Sequence, residues 1–390
     1  MGITLERTSQ SCFDGNAMKI NPQLKTPYYL VDESRLTKNL EILKRVKEAS
    51  GAKILLAQKA FSMFYFYPLI SQYLDGTTSS GLFEARLAHE HFKKEIHVFG
   101  PAYRDDEIDE LLTYADHIVF NSMSQLRRFK DKAITLKKTI GVRINPEVST
   151  QGGGMYDPCS PTSRMGIKEE HFDEAMLPFI SGLHFHTLCQ QNADALATTL
   201  QAVEKRFGRF FSKLKWLNFG GGHHITRQDY DVNKLIQLIQ HYKSKYGFEI
   251  YLEPGEAVVL NAGFLVASVL DIVKNDMAIA ILDSSATCHM PDVLEMPFEP
   301  PVVGAVKVSP YHYRLSGSTC LSGDNIGQYY FSKPLAIKDQ VIFEDMALYT
   351  MVKNNTFNGT PLPTIYARNA KGEDILVKSF GYHDFKQKLS

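Results

Sequence analysis

The chain has 390 residues, and Lys plus Arg equals Asp plus Glu at 43 each, so its formal charge is zero. That balance gives no electrostatic reason to expect nucleic acid or an anionic membrane as a partner, and the length leaves room for two domains with sizeable cores. Five cysteines at wide spacing, with no Cys-x-x-Cys pair, suit a reducing compartment better than a disulfide framework.

Residues 1–17 lack an apolar core and read as a flexible leader, with Met18 a second candidate start. The longest apolar stretch, 262–273, contains Gly263 and Asp271 and is too short to span a bilayer. A cytoplasmic protein is therefore expected. Residues 26–36, TPYYLVDESRL, read as a strand and then a helix capped near Asp32 or Ser34. Short apolar runs then alternate with stretches of helical period. The expected strands are 54–57, 77–80, 96–99, 117–120, 140–144, 183–186, 216–219 and 250–253, with helices such as 84–92 and 193–211 between them. This alternation predicts an α/β fold, a closed (β/α)8 barrel of the TIM type, over 27–262. A doubly wound open sheet usually has fewer strands and a glycine-rich first turn, which is missing here.

Residues 146–164 form a long irregular stretch with glycines at 152–154, expected to be a flexible loop. After about residue 262 the pattern changes. Strand-like runs in 263–273, 277–283, 334–343 and 363–369 follow one another with turns between them, so 263–390, joined by 18–26, are expected to form a second, mostly antiparallel β domain.

Chemistry in such barrels collects where the strands end. The run ILLA at 54–57 leads to Lys59, and a lysine costly to bury protonated becomes a nucleophilic amine. On that stretch alone, a lysine snorkelling at a strand end is the commoner case. The other strand ends offer Arg143, His186, the triplet Gly220, Gly221 and Gly222, and Glu253 followed by Pro254 and Gly255. Phosphate binds these barrels at the loops after strands seven and eight, where glycines let bare amides approach it. Glu253 in a buried strand needs a partner, and a protonated pyridine nitrogen would serve. A lysine amine, a phosphate cradle, a carboxylate and a flat imidazole together describe a pyridoxal phosphate site.

On these residues the chain resembles the barrel-type pyridoxal phosphate decarboxylases, the group of ornithine, arginine and diaminopimelate decarboxylases and alanine racemase. LLAQKAF, TSSGLFEARLA, GLHFHTLCQ, NFGGGHH, EPGEA, ATCHMPDVLEMP, CLSGD and MALYTMVKNNTFNG are most similar to the carboxynorspermidine/carboxyspermidine decarboxylase branch. The resemblance implies that Lys59 carries the cofactor and that His186 stacks on its ring. It implies that Gly220, Gly221, Gly222, Gly255 and Tyr349 hold phosphate and that Glu253 pairs with the ring nitrogen. Glu84 and Arg143 would sit beside the cofactor. Cys320 would handle a proton in the neighbouring subunit's site, which makes a homodimer necessary, with Asp324 beside it facing substrate. No metal is implied.

Three positions depart from the wider group. Glu256 stands where most relatives have arginine, Thr187 to Cys189 replace a Gly-Ser pair, and Thr78 replaces the aspartate of ornithine decarboxylases. They weaken the diaminopimelate and ornithine alternatives. A substrate with a polyamine arm carries several ammonium groups, so its site should present carboxylates. The resemblance places Glu256 and Asp292 on the substrate, with Glu295 assisting, and their sign is the right one. A diaminopimelate, arginine or ornithine decarboxylase of the same group stays the first alternative, ahead of a racemase or a non-catalytic cofactor-binding regulator.

Overall fold

The computed structural model describes residues 20–151 and 157–390. The expected glycine-rich segment at 152–154 and the leader lie outside the described residues. Two compact units divide the chain: Lys38–Val258, and a second unit made of the described residues up to Thr37 with Val259–Ser390.

The first strand, β1 (Tyr28–Asp32), belongs to the second unit, where it pairs antiparallel with β10 (Gly263–Lys274) and parallel with a later strand, Thr364–Arg368. The sequence boundary expected at 27 therefore moves to after Thr37, and that at 262 to before Val259. Every residue of β1 is buried: Tyr28 and Leu30 pack with Phe264 and Val266, while Tyr29 joins Leu265 and Ala267 on the opposite face. A strand apolar on both faces looks the same whether it lies in a barrel or in a covered sheet. The following helix, Glu33–Ser50, is capped by Asp32, whose Oδ1 accepts from the Arg35 amide at 3.0 Å.

In the first unit eight parallel strands close in chain order. They are β2 (Lys53–Ala57), β3 (Gly76–Ser79), β4 (Glu95–Phe99), β5 (His117–Phe120), β6 (Thr139–Arg143), β7 (Gly182–His184), β8 (Trp216–Asn218) and β9 (Glu249–Leu252). All eight expected strands are present, each within one or two residues of its expected start. The sixth ends at His184, two residues before His186. Closure demands a filled interior, and side-chain size is matched across the strands. A Cβ on Gly182 would come within 2.0 Å of the Trp216 indole, and one on Gly141 within 2.3 Å. These glycines make room for the one tryptophan of the chain. Trp216 then packs with Leu55, Val119 and Tyr251.

The second unit is built on a nine-stranded sheet among the described residues. β10 is its long member. Its first half pairs with β1 and with Gln340–Glu344, and its second half, past an irregularity between Val269 and Asp271, pairs with Ala278–Leu282. Three of the four expected runs are strands here, and the fourth, 334–343, is strand only from Gln340, where Gln340–Glu344 begins. Tyr311–Ser316, Asn325–Phe331 and Asp374–Lys378 are strands as well; interspersed polar residues hid the first two from a search for apolar runs, and the third has an apolar run of only three residues. Two pairings are parallel, so the sheet is mixed. Among the described residues no helix is long and apolar enough to cross a membrane.

Candidate active site

The site grows from the ends of the barrel strands. β2 stops at Ala57, whose carbonyl accepts from the Ala60 amide at 3.1 Å, so Lys59 lies in a tight turn. The residue before it, Gln58, is fully buried and anchors that turn. Its Nε2 donates to Ser79 Oγ (2.8 Å) and to the Glu84 carbonyl (2.9 Å), and its Oε1 accepts from Tyr67 OH (2.8 Å). Glu84 in turn accepts from the Ser80 amide at 2.6 Å. Lys59 is exposed to solvent at the surface of the barrel, although the protein mass around its amine still desolvates it. Burial lowers its pKa, and the charge of Arg143 lowers it further. Among the described residues its amine is paired with no carboxylate.

Glycines bring the other strand ends close. A Cβ on Gly255 would lie 2.6 Å from that of Ala60, so the Glu-Pro-Gly turn can rest against the lysine turn only as glycine. Gly220 and Gly222 have φ of +69° and +81°, where a side chain is strained, and a Cβ on Gly222 would come within 1.9 Å of the Leu188 carbonyl oxygen. The Gly220 amide donates to Asn218 Oδ1 and the Gly221 amide to His186 Nδ1, both at 2.8 Å. The second bond fixes the imidazole as its Nε2–H tautomer. Burial and the charges of Lys59 and Arg143 hold His186 well below the ordinary histidine pKa, so the ring is neutral. Arg143 is buried, donates to the His186 carbonyl at 2.9 Å and lies over the Phe99 ring at 4.7 Å. Burial brings its guanidinium down to about 10, which leaves it charged at neutral pH.

Glu253 is 9 % exposed. Its Oε1 accepts from Asn218 Nδ2 at 2.8 Å, and its Oε2 lies 3.3 Å from His184 Nε2. Burial alone would raise the carboxyl, but the bonds from His184 and Asn218 hold Glu253 below the usual carboxylate range. His184 itself is pushed down by burial, and its Nδ1 has no hydrogen-bond partner. A doubly protonated ring would bury an unpaired N–H, so His184 is a neutral donor. Glu253 is thus an ionised carboxylate held by two neutral groups. His184 and Asn218 were missed from the sequence, although period two already put His184 on the same face as His186.

These features fit a pyridoxal phosphate. A lysine amine is depressed and without a carboxylate partner. The Gly222 and Gly255 amides have no acceptor among the described residues. A buried anion lacks a cation of its own among its hydrogen-bond partners.

Glu256 follows the Glu-Pro-Gly turn and accepts from Gln190 Nε2 at 3.0 Å, with His224 Nε2 3.2 Å from its other oxygen. The remaining predicted residues belong to the second unit. Tyr349 opens the short helix Thr350–Lys353 with φ of +59°. Asp292 and Glu295 begin and end another short helix and are both paired with Lys353. Cys320 is exposed, with its amide donating to Asn358 Oδ1 at 2.8 Å. Asp324 is the most enclosed of these residues. It is 3 % exposed, and its carboxylate accepts from Ser285 Oγ (2.8 Å), Thr319 Oγ1 (2.6 Å) and the Thr287 amide (3.1 Å). Those donors tie it to the loop that carries Cys320.

Residues 28–347 match the family described as pyridoxal-dependent decarboxylase, C-terminal sheet domain. The chain is 44% identical over 376 residues to the carboxynorspermidine/carboxyspermidine decarboxylase of Campylobacter jejuni, covering 93% of this chain and 98% of that protein. It is 39% identical to the carboxyaminopropylagmatine decarboxylase of a Synechocystis species, covering 95% and 97% respectively. It is also similar to the crystal structure of carboxynorspermidine decarboxylase complexed with norspermidine from C. jejuni. There the TM-score is 0.87 at 44% identity, covering 94% of this chain and all of that one.

Proposed function

The chain belongs to the pyridoxal-dependent decarboxylases, and on that premise we propose that it decarboxylates carboxynorspermidine and carboxyspermidine to norspermidine and spermidine, a step of polyamine biosynthesis. The observation that carries the reading is that the same strand ends hold a lysine amine without a carboxylate partner among the described residues and a buried Glu253 held by His184 and Asn218.

Lys59 would hold the cofactor at its carbonyl carbon, and Gly220, Gly221, Gly222, Gly255 and Tyr349 would hold its phosphate. Glu253 would hold its ring nitrogen, with His186 on a ring face and Glu84 and Arg143 beside it. When bound, pyridoxal phosphate supplies an electron sink for the pair left at the α-carbon as carbon dioxide departs. Glu253, kept ionised by His184 and Asn218, stabilises a proton on the nitrogen it faces. The depressed pKa of Lys59 raises its share of free amine, the form that attacks a carbonyl and accepts a proton. His186, neutral, offers a flat ring without adding charge.

The substrate reading rests on charge. Glu256 replaces the arginine usual after Glu-Pro-Gly and meets a cationic arm with the right sign, as do Asp292 and Glu295. Purified holoenzyme should be assayed on carboxynorspermidine, carboxyspermidine, carboxyaminopropylagmatine and diaminopimelate. Carbon dioxide and product amines are the readout. We expect kcat/KM for the first two to exceed that for diaminopimelate by about 10²-fold or more, since a misplaced carboxylate leaves charges unpaired. Equal rates would overturn the substrate reading. The Synechocystis relative makes the agmatine derivative the second candidate.

We place the enzyme in the cytoplasm as a homodimer in which Cys320 protonates the reacting carbon in the opposite subunit's site. Mixing inactive Lys59→Ala and Cys320→Ala chains should then restore about a quarter of the wild-type rate, since half the dimers carry one intact site. No restored activity in a mixture shown to exchange subunits would refute the sharing.

A further inference from the structure

In the second unit one ammonium occupies two carboxylates. The Lys353 Nζ donates to Asp292 Oδ1 and to Glu295 Oε2. Asp292 is 19 % exposed at its side chain, Lys353 34 % and Glu295 52 %, so the group is sheltered on its Asp292 side and open to water at Glu295. Lys353 lies one turn beyond Tyr349, with its amide on the Tyr349 carbonyl at 3.0 Å. The lysine side chain is a primary ammonium on a four-carbon stem. That is also the chemistry of a polyamine terminus.

We propose that Lys353 is a built-in competitor for the arm of the substrate: it neutralises the Asp292–Glu295 pair, and a terminal ammonium takes the pair only by displacing it. This rests on the reading above that Asp292 and Glu295 face that arm. Burial would lower the Lys353 pKa, but its bonds to the two carboxylates raise it, so the competitor stays charged throughout the neutral range. With Lys353 seated, the three side chains carry one net negative charge. With it displaced toward water, the pair offers two to an incoming cation. Two consequences follow. Arms without a terminal cation cannot displace the lysine and gain nothing from the pair. The polyamine product leaves more readily, because Lys353 closes behind it.

The test is Lys353→Met in the holoenzyme, with KM and kcat for carboxynorspermidine and a calorimetric Kd for norspermidine. KM and Kd should both fall about three- to tenfold, the range expected for releasing partly exposed carboxylates from one ion pair. KM for diaminopimelate should not follow. Lys353→Arg restores a cation and should return both constants most of the way. A Kd for norspermidine that is unchanged or weaker in Lys353→Met overturns the competition and makes Lys353 a strut between two helices. If Lys353→Met does not fold, Lys353→Gln carries the same comparison. Absence of carboxynorspermidine turnover by the wild-type chain would refute the proposed function. The norspermidine Kd decides the role of Lys353 independently.

Discussion

The barrel carries nearly the same set of side chains at both ends of its strands, and uses them in opposite ways. At the strand starts, Lys53 donates to Glu95 Oε2 at 2.8 Å and to Tyr251 OH at 3.2 Å. Glu95 Oε1 also meets His97 Nε2 (2.8 Å), His117 Nε2 (3.2 Å) and Tyr251 OH (2.9 Å). At the strand ends stand Lys59, Glu253, His184, His186 and Arg143. The floor consumes its own charges. Burial would lower Lys53, yet its bonds to Glu95 and Tyr251 hold it above the ordinary lysine range; burial would raise Glu95, yet His97 and Lys53 hold it far below the usual carboxylate value. The mouth leaves its charges for a ligand, with Lys59 depressed and Glu253 held only by neutral donors. A charge satisfied inside the protein is structure; a charge left without its opposite is a site.

Glu95, His97 and His117 are metal-ligand types, with ligand atoms within 4.8 Å of one another. The two imidazoles stack at 3.9 Å with planes 12° apart. Both Nε2 atoms lie within 3.2 Å of the same Glu95 oxygen, so here the three groups hold one another.

The largest expected effect that would break the contrast is at Lys59. Lys59→Ala should cut turnover by about 10³-fold or more and abolish the visible absorbance of the holoenzyme, while the urea midpoint stays level or rises. A variant that is inactive because it unfolds would place Lys59 with Lys53. Next is Glu95→Gln, which strands the Lys53 ammonium. It should cost about 3 kcal/mol in urea unfolding, the low end for a broken buried pair because Lys53 is partly exposed, with kcat held within about twofold. Wild-type stability would make the floor dispensable.

The smallest is a pH effect. Burial, and then the charge of His97, push His117 down from 6.5 to about 3. Between those values the unfolded chain binds the proton and the folded chain does not. The stability it contributes is therefore whole above pH ~6.5 and is lost as pH falls. From pH ~6.5 to ~5 the loss from this group should be about 2 kcal/mol, and His117→Asn should flatten the wild-type urea profile by that amount. Glu95 titrates lower, so it adds its loss only below pH ~4.5. Parallel profiles for the two chains would show that His117 is not held neutral.

The strand-helix alternation, the lysine after ILLA, the glycine triplet and Glu253 were legible in sequence. Each is a local signal: an apolar run of set length, a residue unusual at its end, a turn that only glycine can make. Tertiary structure decided the partners. His184 stands opposite Asn218, and Asn218 opposite Tyr251, by the registers of β7, β8 and β9, and closing the barrel puts both donors on Glu253. Period two tells which face a side chain takes, but register between strands far apart in sequence tells what it meets there. The same gap hid the floor, where Lys53 and Tyr251 are nearly two hundred residues apart, and the bond of Asp324 to Ser285. It also moved β1 out of the barrel, because a strand buried on both faces carries no mark of the sheet that will bury it.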